Sequence, residues 1–131
     1  MKQLLLTSIA LIVCNIANAQ IFQLSSYEMD IYPCSHPKHG FIKTGFSQYH
    51  AKSIDSFVID LDKNKFSWKD AKGSSKNEIY KATKDENKIT FATDYNAVQV
   101  TKITGEKYII DIIYLDGSDW YMASFQCKIN N

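Results

Sequence analysis

The sequence predicts an all-β fold, an antiparallel meander of about eight to ten short strands forming a small barrel or sandwich. Three observations predict it. Apolar and polar residues alternate over short runs, turn residues separate these runs at short intervals, and no long apolar pattern recurs at helical spacing. A curled meander is also a common way for such a chain to limit its open sheet edges.

Residues 1–19 have the pattern of a secretory signal peptide. Lys2 supplies the positive charge, the apolar run extends from Leu4 to Val13, and Ala17-Asn18-Ala19 forms the small-residue cleavage region. The run of about ten residues is too short for a bilayer crossing, which needs roughly twenty. We therefore expect a secreted protein with one all-β domain at 20–131. The alternative is lipid attachment at Cys14, where Leu11-Ile12-Val13-Cys14 resembles a bacterial lipobox.

Charge points to no electrostatic partner. The chain has 15 Lys and Arg against 14 Asp and Glu, and every one of the 15 is a lysine. Nucleic-acid-binding proteins usually show a basic excess and arginines placed for bidentate contacts. We expect no nucleic-acid partner and no membrane span after signal cleavage.

Two cysteines remain after the leader, Cys34 and Cys127. An exported chain meets an oxidising compartment, so the sequence predicts a disulfide between them. Closing so long a loop stabilises a domain by about 4 to 5 kcal/mol in the chain-entropy interpretation.

The N-terminal third is predicted to hold two strands and a loop. Alternation from Tyr27 to Tyr32 predicts the first strand, with Tyr27 facing the same way as Met29. Phe41 to Tyr49 predicts the second, with Gly45 as a bulge or bend. Two prolines and a glycine mark the intervening residues as a loop.

Two hairpins are predicted next along the chain. In the first, pairing Asp62 with Lys65 sets Ile59 opposite Trp68, so the large side chains share one face. In the second, pairing Lys84 with Ile89 puts Tyr80 on the face of Ile89. The next strand is predicted to point Val98 and Val100 inward.

The last hairpin, Lys107 to Ile129, pairs Leu115 with Trp120. The face assigned to the core carries Tyr108, Ile110, Ile112, Tyr114, Tyr121, Ala123, Phe125 and Cys127. The reverse face is apolar near the turn, where Ile113, Leu115, Trp120 and Met122 form a patch. Either the region before Ile54 covers this patch, or it is a ligand or partner site.

Catalytic and metal-binding signals are weak. Cys34, His36 and His39 are residue types that bind zinc, but their spacing matches no structural zinc site. Asp111 interrupts an apolar run, where burial would raise its pKa or require a donor such as Ser124. We expect no cofactor, no metal and no catalytic residue, although an enzyme is not excluded.

Three segments, Ser56–Asp62, Ile103–Glu106 and Phe125–Lys128, are together similar to uncharacterised small exported proteins of Gram-negative bacteria. The resemblance covers about three-quarters of the chain. It implies a bacterial periplasmic setting and no particular activity.

These observations favour a non-catalytic binding protein that receives a small apolar ligand or a protein partner. The site would be the barrel mouth or the reverse-face patch. The alternative is a secreted inhibitor or interaction module docking through the Cys34–Gly40 loop, braced by the disulfide. A small hydrolase centred on His36, His39 or Asp111 ranks third.

Overall fold

The computed structural model describes residues 20–48, 50 and 52–130. The signal-peptide and Cys14 predictions fall on residues outside these ranges. The predicted all-β meander is confirmed: the described residues form nine antiparallel strands in one curled sheet. The strands are β1 (Ile21–Pro33), β2 (Ile54–Asp60), β3 (Lys65–Asp70), β4 (Gly73–Glu78), β5 (Tyr80–Lys84), β6 (Lys88–Ala92), β7 (Ala97–Lys102), β8 (Lys107–Asp116) and β9 (Asp119–Ile129).

The strand order places both ends of the described chain in the middle of the sheet. The order is β4-β3-β2-β1-β9-β8-β7-β6-β5, so β1 lies between β2 and β9. The outermost strands, β4 and β5, are consecutive in the chain and joined by Ile79 alone. Ile79 is buried, and its N–H donates to the Asn64 carbonyl at 2.9 Å. The chain therefore bends at Ile79 from one edge of the sheet to the other, and the sheet curls into a half-barrel.

The interior of the half-barrel is filled by phenylalanines from several strands, some of them distant in the sheet order. The rings of Phe57 in β2 and Phe125 in β9 lie 5.0 Å apart at their centroids, edge to face. Phe66 and Phe91 lie 5.3 Å apart in the same arrangement. Edge-to-face contacts at such distances add to the stabilisation from burial alone.

The last hairpin forms as predicted. Leu115 pairs with Trp120, and Ile112 pairs with Ala123. Val98 and Val100 are buried, as predicted, and belong to the main core. On the predicted core face of β8 and β9, Tyr108, Ile110, Ile112, Ala123, Phe125 and Cys127 are buried in that core.

Two other register predictions need correction. In the β2–β3 hairpin Ile59 pairs with Phe66, two positions from the predicted partner Trp68. The turn is longer than predicted because the Asp60 carboxylate accepts from the Lys63 N–H at 3.1 Å. A shift of two residues leaves the large side chains on one face. In the β5–β6 hairpin Lys84 does pair with Ile89, but an irregularity turns Tyr80 outward and leaves it exposed.

The N-terminal predictions are only partly confirmed. β1 continues through the predicted strand, but a bulge between Ser26 and Glu28 turns Tyr27 toward solvent. The described part of the predicted strand from Phe41 forms only an isolated bridge, Lys43 with Cys34. This stretch, residues 41–48, runs beside the second half of β1. The Gln48 N–H donates to the Ile31 carbonyl at 2.8 Å.

The predicted disulfide between Cys34 and Cys127 is wrong for this structure, in which both cysteines are free and buried. Cys127 belongs to the main core, whereas Cys34 packs with Ile113 and Met122 on the reverse face of the sheet. The Cys34 N–H donates to the Trp120 carbonyl, seven residues from Cys127 along β9. Seven strand residues span about 23 Å. A disulfide needs Cα atoms within about 7 Å, so the sheet itself holds the thiols apart.

Candidate functional site

A cavity opens where β1 separates from β2. The two strands pair from Ile21 with Asp60 to Ser25 with Ser56, after which β1 remains paired with β9 but no longer with β2. At the separation, the Ser26 hydroxyl donates to the Ile54 carbonyl. The β1 bulge follows immediately. The second half of β1 thereby leaves β2 and opens the interior of the curled sheet.

The cavity has a volume of about 220 Å³. For comparison, a dry engineered cavity of about 150 Å³ binds benzene. Six strands or their ends contribute to the wall, and the lining is largely apolar and aromatic. The lining residues are Met29, Ile31, Ser53, Ile54, Trp68, Asn96, Ile112, Tyr114, Ala123 and Phe125.

A second bulge completes the wall on the β2 side. The register between β2 and β3 shifts between Ile54 and Ser56, so Ile54 pairs with Asp70. The irregularity brings Ile54 onto the inner face, where it packs against the core together with Trp68. Without this shift the alternation of the strand would point Ile54 to the outside.

Three side chains give the cavity wall its polar groups. Asn96 donates to the Ile113 carbonyl at 3.4 Å, and Ser53 contacts the Met29 sulfur at 3.4 Å. Tyr114 is half-buried beside the ring of Tyr121, with centroids 5.9 Å apart. Burial, and then the negative charge of Asp116, raise the pKa of Tyr114. A tyrosine hydroxyl is protonated at neutral pH even without this shift, so Tyr114 can donate a hydrogen bond.

The predicted reverse-face patch is largely covered. Ile113 and Met122 are 0% and 1% exposed and pack with Cys34 and Phe41. The covering segment belongs to the region before Ile54, as one of the two open interpretations expected. A ligand at Ile113 and Met122 would have to displace this segment.

Two residues of the patch retain exposed surface. Leu115 is 53% exposed. Trp120 is half-buried, and its ring lies 4.8 Å from that of His36, edge to face. The patch thus serves mainly as the surface on which the Cys34–Gly40 loop packs.

The predicted loop is ordered by local hydrogen bonds. His36 precedes a short 3-10 helix, Pro37–His39, and its Nδ1 accepts from the Lys38 N–H at 2.9 Å. Burial raises the pKa of the Cys34 thiol, which disfavours the thiolate. Among the described residues, no three His, Cys, Asp or Glu side chains gather closely enough to hold a metal ion.

The outer face carries a row of polar residues that sequence reasoning only partly identified. Asp111 pairs with Gln99 on one side and with Ser124 on the other, and Asp30 is the next partner of Ser124. His50, whose ring Nδ1 contacts the Asp30 carboxylate, ends the row. The predicted effects on Asp111 are confirmed: burial raises its pKa, while a hydrogen bond from Ser124 and the charges of Lys43 and Lys88 oppose the rise.

A second hollow of about 210 Å³ lies beside the outer faces of β2, β3 and β4. Its lining includes Ser56, Ser67, Ser74 and the charged Lys69. These polar side chains are typical of a solvated surface. Val58 and Trp68 also line this hollow, which lies on the outer side of the sheet and not in its interior.

The sequence predicted the barrel mouth as a site without naming its lining. Met29, Trp68 and Phe125 were predicted only as strand or core residues. Bulges in β1 and β2 create the cavity. Gly, which often marks a bulge, is absent from both places.

No family model matches the chain, and neither a curated protein nor a solved structure shows significant similarity to it. The one helix among the described residues, Pro37–His39, is far too short to cross a membrane, and no candidate membrane-spanning helix occurs there.

Proposed function

We propose that this protein is a non-catalytic binding protein that holds a small apolar ligand in the cavity between β1 and β2. The observation that carries the proposal is a cavity of about 220 Å³ with a mainly apolar lining, open to solvent on one side and bordered by residues of the main core. Without a ligand, the apolar walls of such an open cavity face water. A bound apolar ligand would remove that apolar surface from water, which is favourable.

The size of the cavity favours a small molecule over a protein partner. Ligand sites in proteins are typically lined by apolar and aromatic side chains with a few polar groups, as here. A volume of about 220 Å³ accommodates a substituted ring or a short chain, but no helix or peptide strand.

The export prediction belongs to the same proposal and rests on the pattern of residues 1–19. Burial of both thiols is compatible with an oxidising compartment, because it shields them from oxidants. Periplasmic extracts should contain a chain whose N-terminal residue is Gln20. A cytosolic chain retaining Met1 would contradict this part of the proposal.

The two tryptophans allow a direct test of the cavity. Trp68 lines both the cavity and the outer hollow, whereas Trp120 lies against His36; a Trp68 signal is therefore assigned to the cavity only if Ala123→Leu abolishes it. We would titrate Trp120→Phe and Trp68→Phe with benzyl alcohol and 1-hexanol and record tryptophan emission. The proposal expects a saturable change in Trp120→Phe, which retains Trp68, and none in Trp68→Phe.

Two other outcomes would contradict the proposed cavity site. A change seen only in Trp68→Phe would place the ligand at the patch of Ile113, Leu115, Trp120 and Met122 and would reject the cavity. Silence of both variants, with no amide shifts by NMR, would reject small-ligand binding altogether.

A further inference from the structure

The cavity wall carries no formal charge within the described part of the chain. Its polar groups are the hydroxyls of Ser53 and Tyr114 and the amide of Asn96. A ligand that buried a charged group against this wall would give up hydration of that group without gaining an ionic partner. Such a transfer costs far more than the burial of a hydrogen-bonded neutral group.

The charged residues near the mouth are already engaged. Lys52, which precedes the lining residue Ser53, pairs with Asp55 at 3.3 Å. Asp70, the strand partner of Ile54, accepts from the Lys72 and Gly73 N–H groups at 2.8 and 3.1 Å. A ligand ion would have to compete with these contacts.

The polar groups of the wall differ in whether they already have a hydrogen-bond partner within the protein. Asn96 and Ser53 each have a partner inside the protein. The Tyr114 side chain is half-buried in the wall, and its hydroxyl makes no hydrogen bond within the described part of the chain. Tyr114 is therefore the group best suited to donate a hydrogen bond to a ligand oxygen.

We infer that the ligand of the cavity is an uncharged ring or short chain with one hydrogen-bond acceptor, such as an alcohol or a ketone, which binds the Tyr114 hydroxyl. This inference rests on the proposed function and specifies its ligand class. A ligand that buries an ionised carboxylate or ammonium group against this wall is thereby excluded.

A matched set of ligands tests the charge. Toluene, benzyl alcohol, benzoate and benzylammonium share one ring and differ in polarity and charge. We expect benzyl alcohol to bind at least about tenfold more tightly than either ion, because neither ion finds a partner in the wall. Affinities are measured from amide chemical shifts of the chain comprising residues 20–131.

The results separate the inference from the proposed function. If benzoate or benzylammonium binds as tightly as the alcohol, the inference is wrong and the binding function stands. If no member of the set binds, both are wrong.

Tyr114→Phe tests the hydrogen bond. The variant should weaken benzyl alcohol by about threefold to tenfold and leave toluene unchanged, because only the alcohol loses a partner. Tyr121→Phe is the matched control, since Tyr121 contacts Tyr114 but does not line the cavity. Equal loss for both ligands, or equal effects of the two variants, would remove Tyr114 from this role.

Ala123→Leu tests the volume. Ala123 lines the cavity and is buried, so a larger side chain there should occupy the ligand space and abolish binding. Ala82→Leu, on the exposed strand β5, makes the same chemical change away from the cavity and should bind normally. Full binding by Ala123→Leu would show that the ligand lies elsewhere.

Discussion

Phe66 in β3 and Phe91 in β6 lie 5.3 Å apart at their ring centroids, although six strand-to-strand steps separate their strands in the sheet order. Only curling of the sheet brings such strands face to face. Contact between these two rings therefore indicates that the sheet is curled around its core.

Both rings are buried, and truncating either one should destabilise the fold. Phe66→Ala and Phe91→Ala should each lower the free energy of unfolding by about 3 to 5 kcal/mol. Because the rings touch, the double variant should lose less than the sum of the two single losses. Urea unfolding of the four proteins measures this coupling, and strict additivity would show that the rings do not meet.

The positions of the cysteines predict that the protein is insensitive to reducing agents. Cys34 and Cys127 are free and lie on opposite faces of the sheet, and burial raises the pKa of Cys127 to about 12. A reductant should leave the melting temperature unchanged. A thiol reagent should modify Cys127 only after unfolding.

Two measurements would contradict this prediction of free thiols. A native mass lower by two hydrogen atoms, together with a melting temperature that falls on reduction, would establish a disulfide. The register around β9 would then have to differ from the one described here.

Asp111 should make stability depend on pH. Its folded pKa lies above its ordinary value of 3.8, chiefly because of burial. The folded state therefore binds the proton more tightly than the unfolded state, and stability falls as pH rises from about 4 through the folded pKa. In Asp111→Asn the side chain at position 111 does not titrate, so this loss of stability is absent. The stability of the variant relative to the parent protein should therefore increase over the same pH range. Unfolding curves at a series of pH values provide the measurement.

Ser124→Ala is the companion variant for this prediction. Ser124 donates to the Asp111 carboxylate and lowers its pKa, so removing the hydroxyl should widen the pH range of the effect. A stability difference between Asp111→Asn and the parent protein that stays constant with pH would contradict the assignment.

Gly45 is required by a close approach to Pro33. A Cβ at Gly45 would lie 2.9 Å from the Pro33 Cγ, nearer than real Cβ contacts allow. Gly45→Ala should therefore destabilise the protein by about 1 kcal/mol or more. Gly105→Ala is the control, because a Cβ there meets nothing within 4 Å. Equal stability of the two variants would mean that residues 41–48 do not pack as described.

The sequence predicted local pairing better than long-range arrangement. Alternation and turn agreed at Leu115 and Trp120, and that register was right. At Ile59 the turn proved longer than its composition indicated. The predicted assignment of side chains to the two faces was still right, because the register error was an even number of residues.

The failures share a physical cause. The stretch from Phe41 alternates like a strand, but it has to pass over Pro33 and pack Phe41 against the reverse face, so it forms only one bridge. The cavity likewise depends on where β1 leaves β2, which is set by partners distant in the chain. Periodicity within a single strand carries no such information.

The central position of β1 also constrains the order in which the molecule assembles. Most of β1 pairs with β9 over a sequence separation of about ninety to one hundred residues, from Pro33 with Tyr121 to Leu24 with Ile129. The first strand to leave the ribosome or a translocation channel therefore waits for the last one. Until then the edge of β1 that pairs with β9 has no partner, so a holding chaperone would need to stay bound longest near the N-terminus of this chain.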